Sequence, residues 1–203
     1  MSALSLRRIE ERLLGHQPAV LVPAQFTRRA AVAAILREGG GETEVLFIKR
    51  AQRPGDLWSG QMAFPGGHWE PSDADLAATA VRETHEEIGL DLERCARPLG
   101  HLDYMRVSPI GARYEMLIAP YVFVLERELP RLQPNHEVAA VLWGSVPGMF
   151  HGRTLTRREM HVRGGSMPFP GYDVQNELVW GLTYRMLHGF FSVLDPGWRS
   201  TED

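Results

Sequence analysis

Apolar positions along the chain change their spacing several times, and each change predicts an element. Leu6, Ile9, Leu13 and Leu14 recur at helical spacing between charged residues, which predicts a short amphipathic helix over residues 4–15. Gly15 and Pro18 end it, and a loop rich in Pro and Ala runs on to Gln25. "RRAAVAAILRE" and "EVLFIKR" are β-leaning runs on either side of a Gly triplet, so they predict neighbouring strands joined by a flexible turn. Residues 51–60 read as a loop, and "QMAF" as a brief strand running into Pro65-Gly66-Gly67. The strongest helix spans residues 73–88. "SDAD" offers N-caps, with Asp73 expected as a cap rather than a ligand, and Gly89 supplies the stop. Ala77, Val81, Thr84 and Ile88 follow four-three-four spacing and form its expected core-facing stripe.

Further on, "EMLIAPYVFVL" (115–125) predicts a buried strand bent at Pro120, and "EVAAVLW" (137–143) another strand. Residues 154–172 read as an excursion or short hairpin. Residues 176–194 read as a long closing helix capped by Asn176. No internal repeat is present, and only the last few residues read as disordered. Strands interleaved with two main helices predict an α/β sandwich around a mixed sheet.

Composition narrows the function classes. With 203 residues, 44% hydrophobic and 23% charged, the chain suits one globular domain with terminal additions. We divide it into an N-terminal helix and loop (1–25), a main domain (26–195) and a tail (196–203). A net charge of −3 argues against a broad basic face for nucleic acid. Cys95 is the single cysteine, so neither an intrachain disulfide nor a cysteine zinc site is expected, and a reducing compartment is. The start, MSALSLRRIEERLLGH, has no apolar signal-peptide core and no stretch reaches membrane-span length, so a cytoplasmic protein is expected. The apolar N-terminal helix has two open roles, capping the domain or meeting a second copy in a homodimer.

The candidate chemistry lies at the end of the strongest helix. Glu83, Glu86 and Glu87 share one side, directed away from the expected stripe, and like charges at this spacing repel unless something positive lies among them. Their hard oxygens suit Mg²⁺ or Mn²⁺. Most E-x-x-E-E helices simply face solvent. Three neighbours count against that reading here: Arg82 beside the first Glu, the bare backbone of Gly66-Gly67 upstream, and Gly89 directly after.

Arg50 and Arg53 are candidates for binding phosphate or are idle loop arginines. Trp58 and Phe64 stack on a base or, as we expect, pack against the core. Glu137 is a candidate base or metal support, or a solvated residue at a strand entrance. A zinc-protease reading of His85-Glu86 fails because the second His would fall at Gly89. G-x-S-x-G and Walker motifs are absent, and the eight histidines lack ligand spacing.

The segment from Gly67 through Arg82-Glu83-Thr84-His85-Glu86-Glu87-Ile88-Gly89-Leu90 resembles the Nudix hydrolase box: Gly, five residues, Glu, seven residues, Arg-Glu-apolar-x-Glu-Glu-x-Gly-apolar. Here Asp73 stands at the front Glu position, one extra residue precedes Arg82, and Thr84 stands at the apolar position. "FPGG…PSDADLAATAVRE" resembles the subgroup that cleaves coenzyme A and its acyl esters. Arg50-Ala51 corresponds to that subgroup's Arg-Ser, and "GYDVQNELVWGLTYRML" resembles its closing helix. The likeness covers residues 28–194.

The resemblance implies a Nudix-like α/β/α sandwich around a mixed β-sheet, with an added N-terminal helix. It implies a metal-dependent hydrolase that cuts the diphosphate of coenzyme A or its derivatives to 3′,5′-ADP and (acyl-)phosphopantetheine. By the same likeness, Glu83, Glu86, Glu87 and the Gly67 carbonyl hold Mg²⁺ or Mn²⁺, and Arg82 orients the carboxylates. Glu86 or Glu87, or Glu137 in their place, takes the water's proton. Arg50, Arg53 and Gly66 meet a small-molecule diphosphate substrate, with no nucleic acid or membrane involved. The alternatives are nucleotide sugars, dinucleoside compounds or oxidised nucleotides as substrate, or a non-catalytic Nudix-fold binding module. The presence of all three glutamates counts against the binding module.

Overall fold

A computed structural model describes residues 4–22, 28–55, 58–108, 114–162 and 165–200. The expected boundary at residue 25, part of the 51–60 loop and the last three residues lie outside the described residues. Strand β1 (Arg28–Gly39) is the spine of a mixed sheet. Its parallel neighbour is β7 (Met116–Leu125), from Arg28↔Met116 to Leu36↔Val124. On its other side β1 has two antiparallel partners in turn. Its C-terminal half pairs with β2 (Glu42–Arg50), and its N-terminal half with β4 (Gly66–His68). The short strand β3 (Met62–Ala63) and β8 (Val138–Ser145) both pair with β2. β5 (Ala96–His101) and β6 (Met105–Val107) pair in succession with β7.

The apolar run in β1 has no polar face because both of its faces are covered. Ala31, Ala33 and Ile35 join Leu76, Ala80 and Ile88 of helix α2 (Leu76–Ile88) in one cluster. Ala30, Ala34 and Leu36 join Ile9 and Leu13 of α1 (Leu6–Leu14) in the other. The C-terminal helix, which follows the short helices α3 (Leu92–Cys95) and α4 (Val146–Phe150) and is therefore α5 (Gly181–Leu194), brings Leu187, Phe190 and Phe191 to that second cluster. The expected sandwich with its added N-terminal helix is therefore present, and α1 caps the domain. Among the described residues, no helix is long and apolar enough to cross a membrane.

Several expectations need correcting. Leu14 is 75% exposed, because α1 ends there and the burial falls on Leu4, Ile9 and Leu13. The cap of α2 is Asp75, whose carboxylate accepts from Ala78 N–H at 2.8 Å, not Asp73. The buried stripe is Leu76, Ala80, Thr84 and Ile88, one position round from the expected one, with Ala77 and Val81 half-buried. That rotation turns Glu87 inward.

The closing helix also starts later than its sequence suggests. Glu177–Trp180 is strand β11, paired with β10 (Gly165–Val174) through a two-residue connection. Gln175 and Asn176 there have φ of 53° and 71°, the left-handed pair of a type I′ hairpin. Asn176 is thus a turn residue rather than a helix cap. β9 (Leu155–Val162) completes this three-stranded sheet, so residues 154–172 are a hairpin as expected.

Pro120 causes no register shift against β1. Its carbonyl accepts from Leu102 N–H on the side where β5 gives way to β6, so the missing N–H faces a break in the ladder. The expected tail packs back at least to residue 200. The Trp198 indole donates to Phe150 O at 2.8 Å and its ring meets Phe191, and Ser200 is buried.

Candidate active site

Where β4 joins β1, the backbone has no room for side chains. Gly66 has φ of 149°, and a Cβ there would stand 2.2 Å from Ala31 O and 2.6 Å from Val32 Cα. At Gly67 a Cβ would meet the Glu83 carboxylate at 2.5–2.6 Å. The last turns of α2 therefore press their carboxylates against bare main chain, and Gly66 N–H donates to Glu87 Oε2 at 2.9 Å.

Arg82 organises the cluster. Its Nε and Nη2 donate to the two oxygens of Asp73 at 2.8 and 3.0 Å, and Nη2 also donates to His68 O at 2.9 Å. Its Nη1 stands 3.1 Å from both Glu83 Oε1 and Glu86 Oε2. Asp73, with its side chain 4% exposed, is held in turn by Glu70 N–H at 3.0 Å and Thr79 Oγ1 at 2.9 Å. The Arg82 hydrogen bond keeps its carboxyl well below the usual carboxylate range. The residue expected as a helix cap is the anchor of the arginine.

The three glutamates do not share one solvated face. The Glu86 side chain is 54% exposed and that of Glu83 17%, while Glu87 is only 2% exposed. Burial raises the Glu83 carboxyl above its ordinary range. It pushes Glu87 up to about 8, against the lowering effect of the Gly66 N–H.

A loop before β8 closes the helix end. Asn135 N–H donates to Glu87 O at 2.8 Å, its Nδ2 to Glu86 O at 2.9 Å, and Gln133 N–H to Ile88 O at 2.8 Å. Asn135 Oδ1 also accepts from Glu137 N–H at 2.7 Å. The otherwise unpaired carbonyls of α2 thus fix where Glu137 enters the site.

These groups line one cavity of about 550 Å³, with Arg50, Gly66, Gly67, Arg82, Glu83, Glu86, Glu87 and Glu137 all in its wall. Arg53 is tied to that set through Glu137 Oε1, at 2.8 Å from its Nη1. Phe64 packs as expected, stacked on Phe47 with centroids 5.3 Å apart, and half-buried Trp58 lines the cavity. Sequence reasoning missed Asn135 and the anchoring role of Asp73. The signal for Asn135 was its place two residues before a strand-entry Glu, where Asx side chains commonly bond the backbone.

Among the described residues, no three His, Cys, Asp or Glu side chains form a ready-made metal cage. Glu83 and Glu86 converge on the Arg82 guanidinium instead. The donor set nonetheless fits a hard divalent cation. Two buried carboxylates, both destabilised as anions by burial, lie against exposed main chain that no Cβ could share.

Comparison with known proteins agrees with this geometry. The NUDIX domain family matches residues 27–160. The chain is 31% identical over 182 residues to the mitochondrial coenzyme A diphosphatase NUDT8 of Mus musculus, covering 86% of this chain and 83% of that protein. It is 30% identical to an uncharacterized Nudix hydrolase, NudL, of Cronobacter sakazakii, covering 90% and 91%. A MutT/nudix family protein from Enterococcus faecalis shares the fold with a TM-score of 0.54 at 16% identity, over 94% of this chain and 70% of that one. A C. elegans Ap4A hydrolase does so at 0.50 and 21% identity, over 62% and 85%. An arginine-centred acidic helix end set against a Gly-Gly strand is what the sequence box folds into, and the chain belongs to the Nudix hydrolase family.

Proposed function

We propose that this chain hydrolyses the diphosphate linkage of coenzyme A or its derivatives, releasing 3′,5′-ADP and (acyl-)phosphopantetheine. The observation that carries the reading is the pair of buried carboxylates, Glu83 and Glu87, set against the bare backbone of Gly66-Gly67. Nudix hydrolases generally need divalent ions. Bound Mg²⁺ or Mn²⁺ would neutralise the anionic diphosphate and make a water acidic enough to attack it.

The roles of the chain's own residues follow from their places. Glu83, Glu86, Glu87 and the Gly67 carbonyl are the hard oxygen donors. Arg82, braced by Asp73, keeps Glu83 and Glu86 apart and aimed. Glu86 or Glu87, or Glu137 across the cavity, accepts the proton of the attacking water. Arg50 offers positive charge in the cavity wall to a phosphate, with Arg53 joined to it through Glu137. The hydrolase domain is assigned to residues 26–195, with 1–25 as its N-terminal helix and loop and 196–203 as a tail. Cytoplasmic action is part of the same proposal.

Coenzyme A as substrate is supported by the mouse relative's name and by the subgroup spacing between Gly-Gly and Arg82-Glu83. Product analysis over coenzyme A, nucleotide sugars, dinucleoside polyphosphates and oxidised nucleotides tests it. Formation of 3′,5′-ADP with the highest kcat/KM is expected. A preference for nucleotide sugars overturns the substrate, and no metal-dependent turnover of any member overturns the enzyme.

A further inference from the structure

The active-site cavity has two chemically different ends, and the acidic end occupies only one of them. The other is a slot between the sheet and α5. On β7, Met116 and Ile118 alternate onto the same face, and the register sets Ile118 beside Ala30 of β1. On α5, Leu182 and Met186 are one turn apart and face the same slot. Met62 adds a third methionine to its wall. The hydroxyl of buried Thr183, which lies among them, already donates to Met62 O at 3.2 Å.

A nucleobase or sugar placed there would lose its hydrogen bonds to water and find few in return. An aliphatic chain has none to lose. Methionine side chains are unbranched and adapt to apolar guests of different length. At about 550 Å³ the cavity is also larger than a diphosphate with its cations requires, and within the range of sites that enclose extended ligands.

We infer that the methionine-lined slot between β7 and α5 seats the acyl group of a coenzyme A thioester, so that the enzyme selects acylated substrate over the free thiol, with Leu182 and Met186 as specificity-determining residues. This rests on the coenzyme A reading above. The diphosphate then lies at the carboxylate end while the thioester arm runs along α5, and the thioester bond itself is not touched.

The test measures kcat and KM for coenzyme A and its acetyl, butanoyl, hexanoyl and octanoyl thioesters. Each buried methylene strengthens binding by up to about fourfold. We therefore expect kcat/KM to rise at least about tenfold from acetyl to octanoyl, mainly through KM. Leu182→Glu places a charge in the slot. It also sits in the first turn of α5, where a carboxylate complements the helix dipole, so the fold is preserved. This variant should flatten the series, whereas the volume-conserving Met186→Leu should keep its slope. A flat series in the native enzyme, or a series unchanged by Leu182→Glu, overturns the acyl seat while leaving coenzyme A as substrate. Failure to cleave every coenzyme A compound, with turnover of another diphosphate, overturns the substrate reading and the seat with it.

Discussion

Asp73 and Glu87 are both carboxylates removed from water, only a few turns of chain apart, and they end in opposite states. Asp73 has a guanidinium on both of its oxygens and a backbone N–H and a hydroxyl besides, so its anion is favoured. Glu87 has one backbone N–H and no cation at hydrogen-bond distance among its described partners, so its anion is disfavoured and the carboxyl is pushed up to about 8. A buried acid with its counter-charge built in stabilises a fold. A buried acid without one costs stability, and its retention is best explained by a cation supplied from outside. The front of α2 reads as scaffold and its C-terminal turn as site.

The largest expected effect separates those two roles. Glu87→Gln should lower kcat by about 10³-fold, on the scale of losing a group that acts on the transition state. It should not lower the melting temperature of the metal-free protein, because it removes a charge that burial disfavours. A Tm loss of many degrees would mean that Glu87 is structural and would break the comparison. Asp73→Asn has the reverse profile, with about 2 kcal/mol of stability lost as the charge-assisted bonds to Arg82 weaken.

Arg82→Lys probes the link between the halves and should act next most strongly. A single ammonium cannot span Asp73, His68 O, Glu83 and Glu86 in the planar fork that the guanidinium provides. We expect kcat to fall about 10–100-fold and stability by about 2 kcal/mol, read by steady-state kinetics and urea unfolding. Activity lost with stability intact would detach Asp73 from the scaffold role assigned to it.

How far the sequence reveals this division differs between the two carboxylates. The box from Arg82 to Leu90 is dense enough to identify Glu83, Glu86 and Glu87 without a structure, and the hairpin of β1 and β2 follows from its Gly triplet. Which glutamate is buried does not follow. The stripe through Ala77 and Val81 matched helical periodicity about as well as the true one, and only the packing of Leu76 and Ala80 on β1 decides between them. Asp73 and Asp75 are equally good caps on paper, and Arg82 decides by taking Asp73 from nine residues away. β11 was hidden because Leu178, Val179 and Trp180 fit a helix pattern until the left-handed Gln175-Asn176 turn is known.

Acidity sharpens the contrast. The folded Asp73 carboxyl titrates below its unfolded value, so its contribution is present above about pH 4 and is lost as pH falls through the folded pKa. The folded Glu87 carboxyl titrates above its unfolded value. Its contribution is full below about pH 4.5 and is lost as pH rises through about 8. In metal-free protein scanned from about pH 3 to 9, the stability gap between native and Asp73→Asn should close at the acid end. The gap between Glu87→Gln and native should open at the alkaline end, in favour of the variant. Parallel curves for all three proteins would show that the two carboxylates do not differ as described.

The smallest effect concerns Asn135, which belongs to neither carboxylate but joins the helix end to Glu137. Its N–H and Nδ2 satisfy the last carbonyls of α2, and its Oδ1 holds the Glu137 backbone. Asn135→Ala removes both side-chain bonds and should cost about 1 kcal/mol of stability and a few-fold in kcat. Asn135→Asp keeps the acceptor for Glu137 N–H but loses the donor to Glu86 O, and it adds a negative charge beside Glu86 and Glu137. If Asn135 acts by placing Glu137, the aspartate should retain more activity than the alanine despite its charge. If it acts by capping α2, the two variants should lose stability equally. Glu137 would then be positioned by its other tie, the Ala51 N–H donating to its carbonyl at 2.7 Å. Unfolding and turnover measured together on the two variants distinguish these outcomes, because only the placement role separates the variants in kcat while leaving them level in stability.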